Sequence, residues 1–83
     1  MEPEKIIFEP TIAGKIMPIR IEKEKEAAHR EANELLNKRY AMYQEQNKAR
    51  LPKEDILAMT AYSFAVQVID LKNLWEKNVK NNS

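Results

Sequence analysis

Residues 57–75 read LAMTAYSFAVQVIDLKNLW. Within this stretch Leu57, Ala61, Phe64, Val68, Leu71 and Trp75 are spaced four, three, four, three and four, a heptad seam over nearly three repeats. A second stripe, Ala58, Tyr62, Ala65 and Ile69, lies beside it, and with Ile56, Met59 and Val66 most of the circumference is apolar until about residue 71. Pro52 suits a first helical turn, and Glu54 and Asp55 suit the positive end of a helix dipole. The reading is one long helix over 52–78, with 79–83 as a frayed tail. About 26 residues at 1.5 Å each make a rod of roughly 39 Å. A compact chain of 83 residues has a radius of gyration near 12 Å and a diameter of roughly 30 Å. The rod therefore projects, and an end bearing Leu71, Leu74, Trp75 and Val79 invites aggregation unless a second copy covers it. The expectation is a homo-oligomer with the six seam residues as its interface.

Upstream, 23–47 contains neither proline nor glycine and is rich in good helix formers. Ala28, Ala32, Leu35, Leu36, Tyr40, Met42 and Tyr43 draw an apolar stripe along this first helix. A polar stretch, 47–51, leads to Pro52 and turns the chain. Before the first helix, residues 5–21 read as a β-hairpin reversed at Gly14, the only glycine. Met17, Ile19 and Ile21 alternate onto one face, which should meet the helices because a two-stranded ribbon is not stable alone. Proline cannot donate to a ladder, so Pro3 and Pro10 place any strand here with those positions on a free edge. The whole is a single α+β domain.

Composition narrows the function. Fourteen Lys and Arg against thirteen Asp and Glu leave a formal charge of +1, too balanced to hold nucleic acid through bulk charge. There is no cysteine, so disulfides and thiolate metal sites are excluded, and the one histidine cannot anchor a metal cage. No run approaches a membrane span or a secretory signal, which makes a soluble cytoplasmic protein the default. No nucleophile stands beside a base and no phosphate-binding glycine loop is present, so neither catalysis nor a cofactor is expected. His29 lies among Glu26, Arg30 and Asn33 and reads as a solvated surface residue. Charge is uneven along the chain: 38–53 hold Lys38, Arg39, Lys48, Arg50 and Lys53 against Glu45 alone. Part of this complements a helix C-terminus; the rest forms a landing patch for an acidic partner.

The order of short hairpin with one glycine, helix, turn and long heptad helix resembles the ZapA family of bacterial cell-division proteins. Ile12-Ala13-Gly14-Lys15 resembles that family's hairpin turn, and Ile19-Arg20-Ile21 its second strand. Leu36-Asn37-Lys38-Arg39 matches its L-N-x-R segment, and Glu54 with Ala61-Tyr62-Ser63 falls where the family has an acid followed by an A-L-N step. The similarity covers about residues 8 to 75. It implies a non-enzymatic partner of FtsZ, the tubulin-like GTPase of the division ring at mid-cell. It also implies dimers, often paired into tetramers, that bridge and bundle filaments. On this resemblance Lys15, Arg39 and Lys48 touch the acidic filament surface, while Asn37 holds local structure. Gln44 stands where relatives place another base, and the heptads stop near Trp75 where relatives extend a coiled coil, so a dimer is expected before a tetramer.

Two other readings fit parts of the pattern. A ribbon-helix-helix DNA-binding dimer also places a strand before two helices, but its strand must offer polar side chains to the major groove. Here the outward set is Ile16, Pro18 and Arg20. A generic helical adaptor fits all the physics and loses only on the residue matches.

Overall fold

The computed structural model describes residues 2–47 and 50–81. In chain order it has β1 (Lys5–Phe8), β2 (Thr11–Ile12), β3 (Lys15–Ile16) and β4 (Ile19–Glu22). A single 3₁₀ turn, Lys23–Lys25, then leads into α1 (Glu26–Asn47) and α2 (Lys53–Asn81). The α+β architecture of an N-terminal hairpin and two helices, the second long, is the expected one.

β1 pairs antiparallel with β4, and β2 with β3. Both ladders keep one register, with Phe8 opposite Ile19 and Thr11 opposite Ile16. The same register continues through the Lys23 N–H on the Glu4 carbonyl at 2.9 Å and the Met17 N–H on the Pro10 carbonyl at 3.0 Å. This is one ribbon interrupted in the middle, and proline interrupts it. Hydrogen-bonded and non-hydrogen-bonded pairs alternate along an antiparallel ladder, and Pro10–Met17 falls on a hydrogen-bonded pair. Pro10 accepts there but has no N–H to return. The free-edge expectation is therefore corrected for Pro10: its ring nitrogen faces the partner strand, and the ladder breaks there. Pro18 lies in a non-hydrogen-bonded pair, so its ring nitrogen sits on the outer edge and removes no ladder bond.

Opposite residues share a face, so Met17, Ile19 and Ile21 do lie together on the inner side. Only Ile21 is buried; Ile19 and Met17 remain exposed. A single helix about 10 Å wide cannot cover both strands of the ribbon along its whole length. At the tip, Ala13 has φ +51° and Gly14 φ +82°. Positive φ at both central positions marks the type I′ turn that matches the twist of a hairpin. Glycine takes this conformation freely, whereas the Cβ of Ala13 makes it unfavourable.

Neither α1 nor α2 contains glycine or proline. The first turn of α2 closes on Pro52, whose carbonyl accepts from the N–H groups of Asp55 at 3.0 Å and Ile56 at 3.2 Å. Helix continues to Asn81, past the point at which fraying was expected. Val79 and Lys80 break no helical rule, and Lys80 lies at the negative end of the dipole. The end of the predicted tail, Asn82 and Ser83, lies outside the described residues.

α1 docks against the stripe of α2 formed by Ile56, Thr60, Ser63 and Gln67. Ile56 is 3% exposed, Thr60 is buried, and Tyr40 of α1 is buried. The hydroxyls cost little here because each is satisfied within α2. Thr60 Oγ1 donates to the Ile56 carbonyl at 2.8 Å, and Ser63 Oγ to the Thr60 carbonyl at 2.9 Å. Small side chains let the helices approach closely.

The molecule measures 49 × 37 × 15 Å, with a radius of gyration of 16.4 Å against about 12 Å for a compact chain of this length. Its thickness is little more than one helix diameter of about 10–12 Å. Among the described residues the buried apolar side chains are Pro10, Ile21, Tyr40 and Ile56, whereas fifteen large ones stand exposed. One layer of helices leaves them nothing to pack against.

Candidate functional site

The hairpin tip carries the first predicted partner-binding residue. Lys15 pairs with Ile12 immediately after the turn, its side chain is exposed, and its ammonium has no ion-pair partner among the described residues. The tip is tied to α1 by Asn37. The Nδ2 group of Asn37 donates to the Thr11 carbonyl at 2.6 Å and to the Asn33 carbonyl at 3.0 Å, and its Oδ1 accepts from the Ala13 N–H at 3.5 Å. The expectation that Asn37 serves local structure fits these contacts.

Arg39, the second predicted contact, is half-buried and turned toward α2. Its Nη1 donates to Ser63 Oγ at 3.0 Å, its Nη2 to Gln67 Oε1 at 2.9 Å, and its guanidinium carbon lies 4.4 Å from the centre of the Phe64 ring. The fork thus clasps three residues of the second helix. The sequence pattern places Arg39 in a basic stretch but does not show which face of α2 it meets. Arg39→Ala is expected to lower unfolding free energy by about 1–2 kcal/mol, from the lost hydrogen bonds and cation–π contact. Arg39→Lys should recover only part of this, because an ammonium cannot reproduce the fork. Urea denaturation of the two variants measures the difference. Lys48, the third predicted contact, lies outside the described residues.

The predicted seam follows the flank of the α1-binding stripe, one residue and about 100° further round α2. At its start Leu57 and Phe64 are half-buried and Ala61 is exposed. Beyond α1 the seam is bare: Val68 is 62% exposed, Leu71 58% and Trp75 67%. Its first half opens into an apolar groove of about 370 Å³ lined by Ala61 and Phe64 together with Ala32, Leu35 and Leu36 of α1. Sequence reasoning assigned these α1 residues to an apolar stripe without joining them to the seam; the heptad phase of α2 alone does not reveal the junction. The second stripe is also unpartnered, with Tyr62 73% exposed above a shallow groove shared with Ala65, Val66, Ile69 and Asp70.

His29 departs from its expected role as a solvated residue. It is half-buried, and its ring lies 5.8 Å from that of Phe8 at 58°. His29, Asn33 and Leu36 recur at spacings of four and three, which turns all of them toward the hairpin, where they line a cleft of about 160 Å³ with Phe8, Pro10 and Ile19. The acids and bases around it pair on the solvent side, as in Arg30 with Glu26 at 2.7 Å. Among the described residues no three of His, Asp and Glu gather at metal-binding distance, and no helix is long and apolar enough to cross a membrane.

Compared with known proteins, residues 10–83 match the family model described as "Cell division protein ZapA". No curated protein and no solved structure matches the chain.

Proposed function

The chain belongs to the ZapA family, non-enzymatic accessory proteins of cell division tied to FtsZ, and from that premise we propose that it works as a symmetric dimer crosslinking FtsZ filaments at the cytoplasmic division ring. One observation supports the dimer above all others. The chain exposes 7064 Å², whereas a compact protein of its mass exposes about 5,100 Å². The surplus of about 1,900 Å² exceeds the roughly 800 Å² that each partner buries in an ordinary specific interface. The bare seam of Val68, Leu71 and Trp75 and the groove that continues it under Leu35 and Phe64 supply apolar area to it.

Pairing two copies along Leu57, Ala61, Phe64, Val68, Leu71 and Trp75 covers this surface and duplicates every other feature of the chain. Two hairpin tips then present two Lys15 ammonium groups, with Lys48 and the remaining N–H groups of Arg39 as further candidates for the same acidic partner. Each contact can be weak, since a polymer offers many sites and simultaneous engagement raises effective affinity. The ribbon-helix-helix reading is disfavoured by the hairpin. Its strands pair with each other within the chain, and Ile7, Ile16 and Pro18 interrupt the polar side chains of its outer face.

Co-sedimentation with polymerised FtsZ tests the proposal. Binding by exposed charges screened over about 10 Å at 0.1 M salt should weaken steeply as ionic strength rises. Lys15→Glu, at an exposed position, should leave the fold intact and reduce apparent affinity roughly tenfold, because both tips of the dimer are altered. Unchanged pelleting of Lys15→Glu would remove the tip from the contact surface.

A further inference from the structure

We infer that Asn37 is a positioning residue, holding the hairpin tip in the orientation that presents Lys15 to the partner. This rests on the reading that Lys15 makes that contact. The proline break leaves the distal part of the ribbon with only two strand pairs, Thr11–Ile16 and Ile12–Lys15, beyond the Met17–Pro10 hydrogen bond. So short a ladder does not order itself. Its turn also places Ala13 at φ +51°, in the left-handed region that a side chain disfavours. Both features argue that the tip, taken alone, would sample other conformations.

Asn37 counters both with one side chain. Its amide donates to the Thr11 carbonyl on the strand entering the turn and accepts from the N–H of Ala13, the residue in the unfavourable conformation. A second donation to the Asn33 carbonyl anchors the amide to α1, a continuous helix of 22 residues. Lys15 follows the turn directly, so the direction of its side chain is set by a helix 22 positions further along the chain. An asparagine is suited to this because the same planar group must donate on one side and accept on the other. Aspartate keeps the shape and loses the donor.

The test uses the full chain and three variants: Asn37→Ala, Asn37→Asp and the double variant Asn37→Ala with Ala13→Asn. Asparagine before glycine is the preferred pair for a type I′ turn, so Ala13→Asn should restore the tip without Asn37. Amide hydrogen exchange on the free protein reads tip order, and FtsZ co-sedimentation reads its consequence. Asn37→Ala should speed exchange at Ala13 and Lys15 roughly tenfold, and Asn37→Asp, which keeps the acceptor for the Ala13 N–H, should do so at Lys15, while amides in the middle of α2 exchange as before. Filament affinity should fall severalfold, short of the loss in Lys15→Glu because the ammonium is kept, and the double variant should regain both properties. Asn37→Asp serves if Asn37→Ala fails to fold. Unchanged tip exchange overturns the inference, as does faster exchange with undiminished binding, or failure of Ala13→Asn to restore binding once exchange is slowed. If Lys15→Glu alone binds normally, the contact reading fails and the partner role of Asn37 falls with it. The exchange data then still show whether the tie itself exists.

Discussion

Val68→Asp is expected to turn the protein into a monomer at concentrations where the unaltered chain is dimeric. Val68 is 62% exposed in the single chain and forms no part of its interior, so a carboxylate there leaves the protomer's packing untouched. In the proposed dimer the same position lies in the middle of the seam and occurs twice. Fully burying a valine contributes roughly 1.5–3 kcal/mol, so losing two amounts to about 3–6 kcal/mol before the cost of burying a carboxylate is added. That corresponds to a dissociation constant raised at least ~100-fold. Sedimentation velocity over a concentration series measures it, with helical content by circular dichroism as the control for folding. A Val68→Asp protein that sediments like the original would place the interface elsewhere on the chain.

The second large effect is on the fold itself. Ile56→Ala is expected to lower unfolding free energy by about 2–5 kcal/mol, because Ile56 is 3% exposed and is one of the few buried apolar side chains among the described residues. Domains have roughly 0.05–0.15 kcal/mol of stability per residue, which for 83 residues gives about 4–12 kcal/mol. A loss of this size removes a large share of the total. Chemical denaturation at one fixed protein concentration is the measurement, since assembly makes apparent stability concentration-dependent. A change below about 1 kcal/mol would mean that the region around Ile56 relaxes to fill the space.

The elements themselves were legible because each follows a simple period. Alternation put Met17, Ile19 and Ile21 on one face, the single glycine marked the turn, and the absence of breakers defined two helices. What the sequence did not reveal was rotation. α2 is apolar around most of its girth, and spacing identifies stripes without saying which one the first helix takes. α1 took the stripe with Thr60 and Ser63, where small side chains permit close approach and the hydroxyls bond within their own helix. The bulkier residues were left outside. That choice decided the fate of Arg39, which points at Ser63, Gln67 and Phe64, and neither its charge nor its neighbours in sequence could indicate this. His29 escaped for a similar reason: its charged neighbours suggested water, while its four-residue spacing to Asn33 placed it against the hairpin. Pro10 escaped because the direction of a ring nitrogen depends on the register, which becomes known only when the partner strand is seen.

The other proline of that ribbon bears on how such a protein survives crowding. A bare strand rim is a template on which a neighbour's backbone can add, and the outward row of N–H groups along the strand from Lys15 to Glu22 would serve as one. Pro18 stands in that row without a hydrogen to offer. A third strand arriving there finds the ladder cut short, so fibre-like stacking is frustrated even when many copies are concentrated on one scaffold.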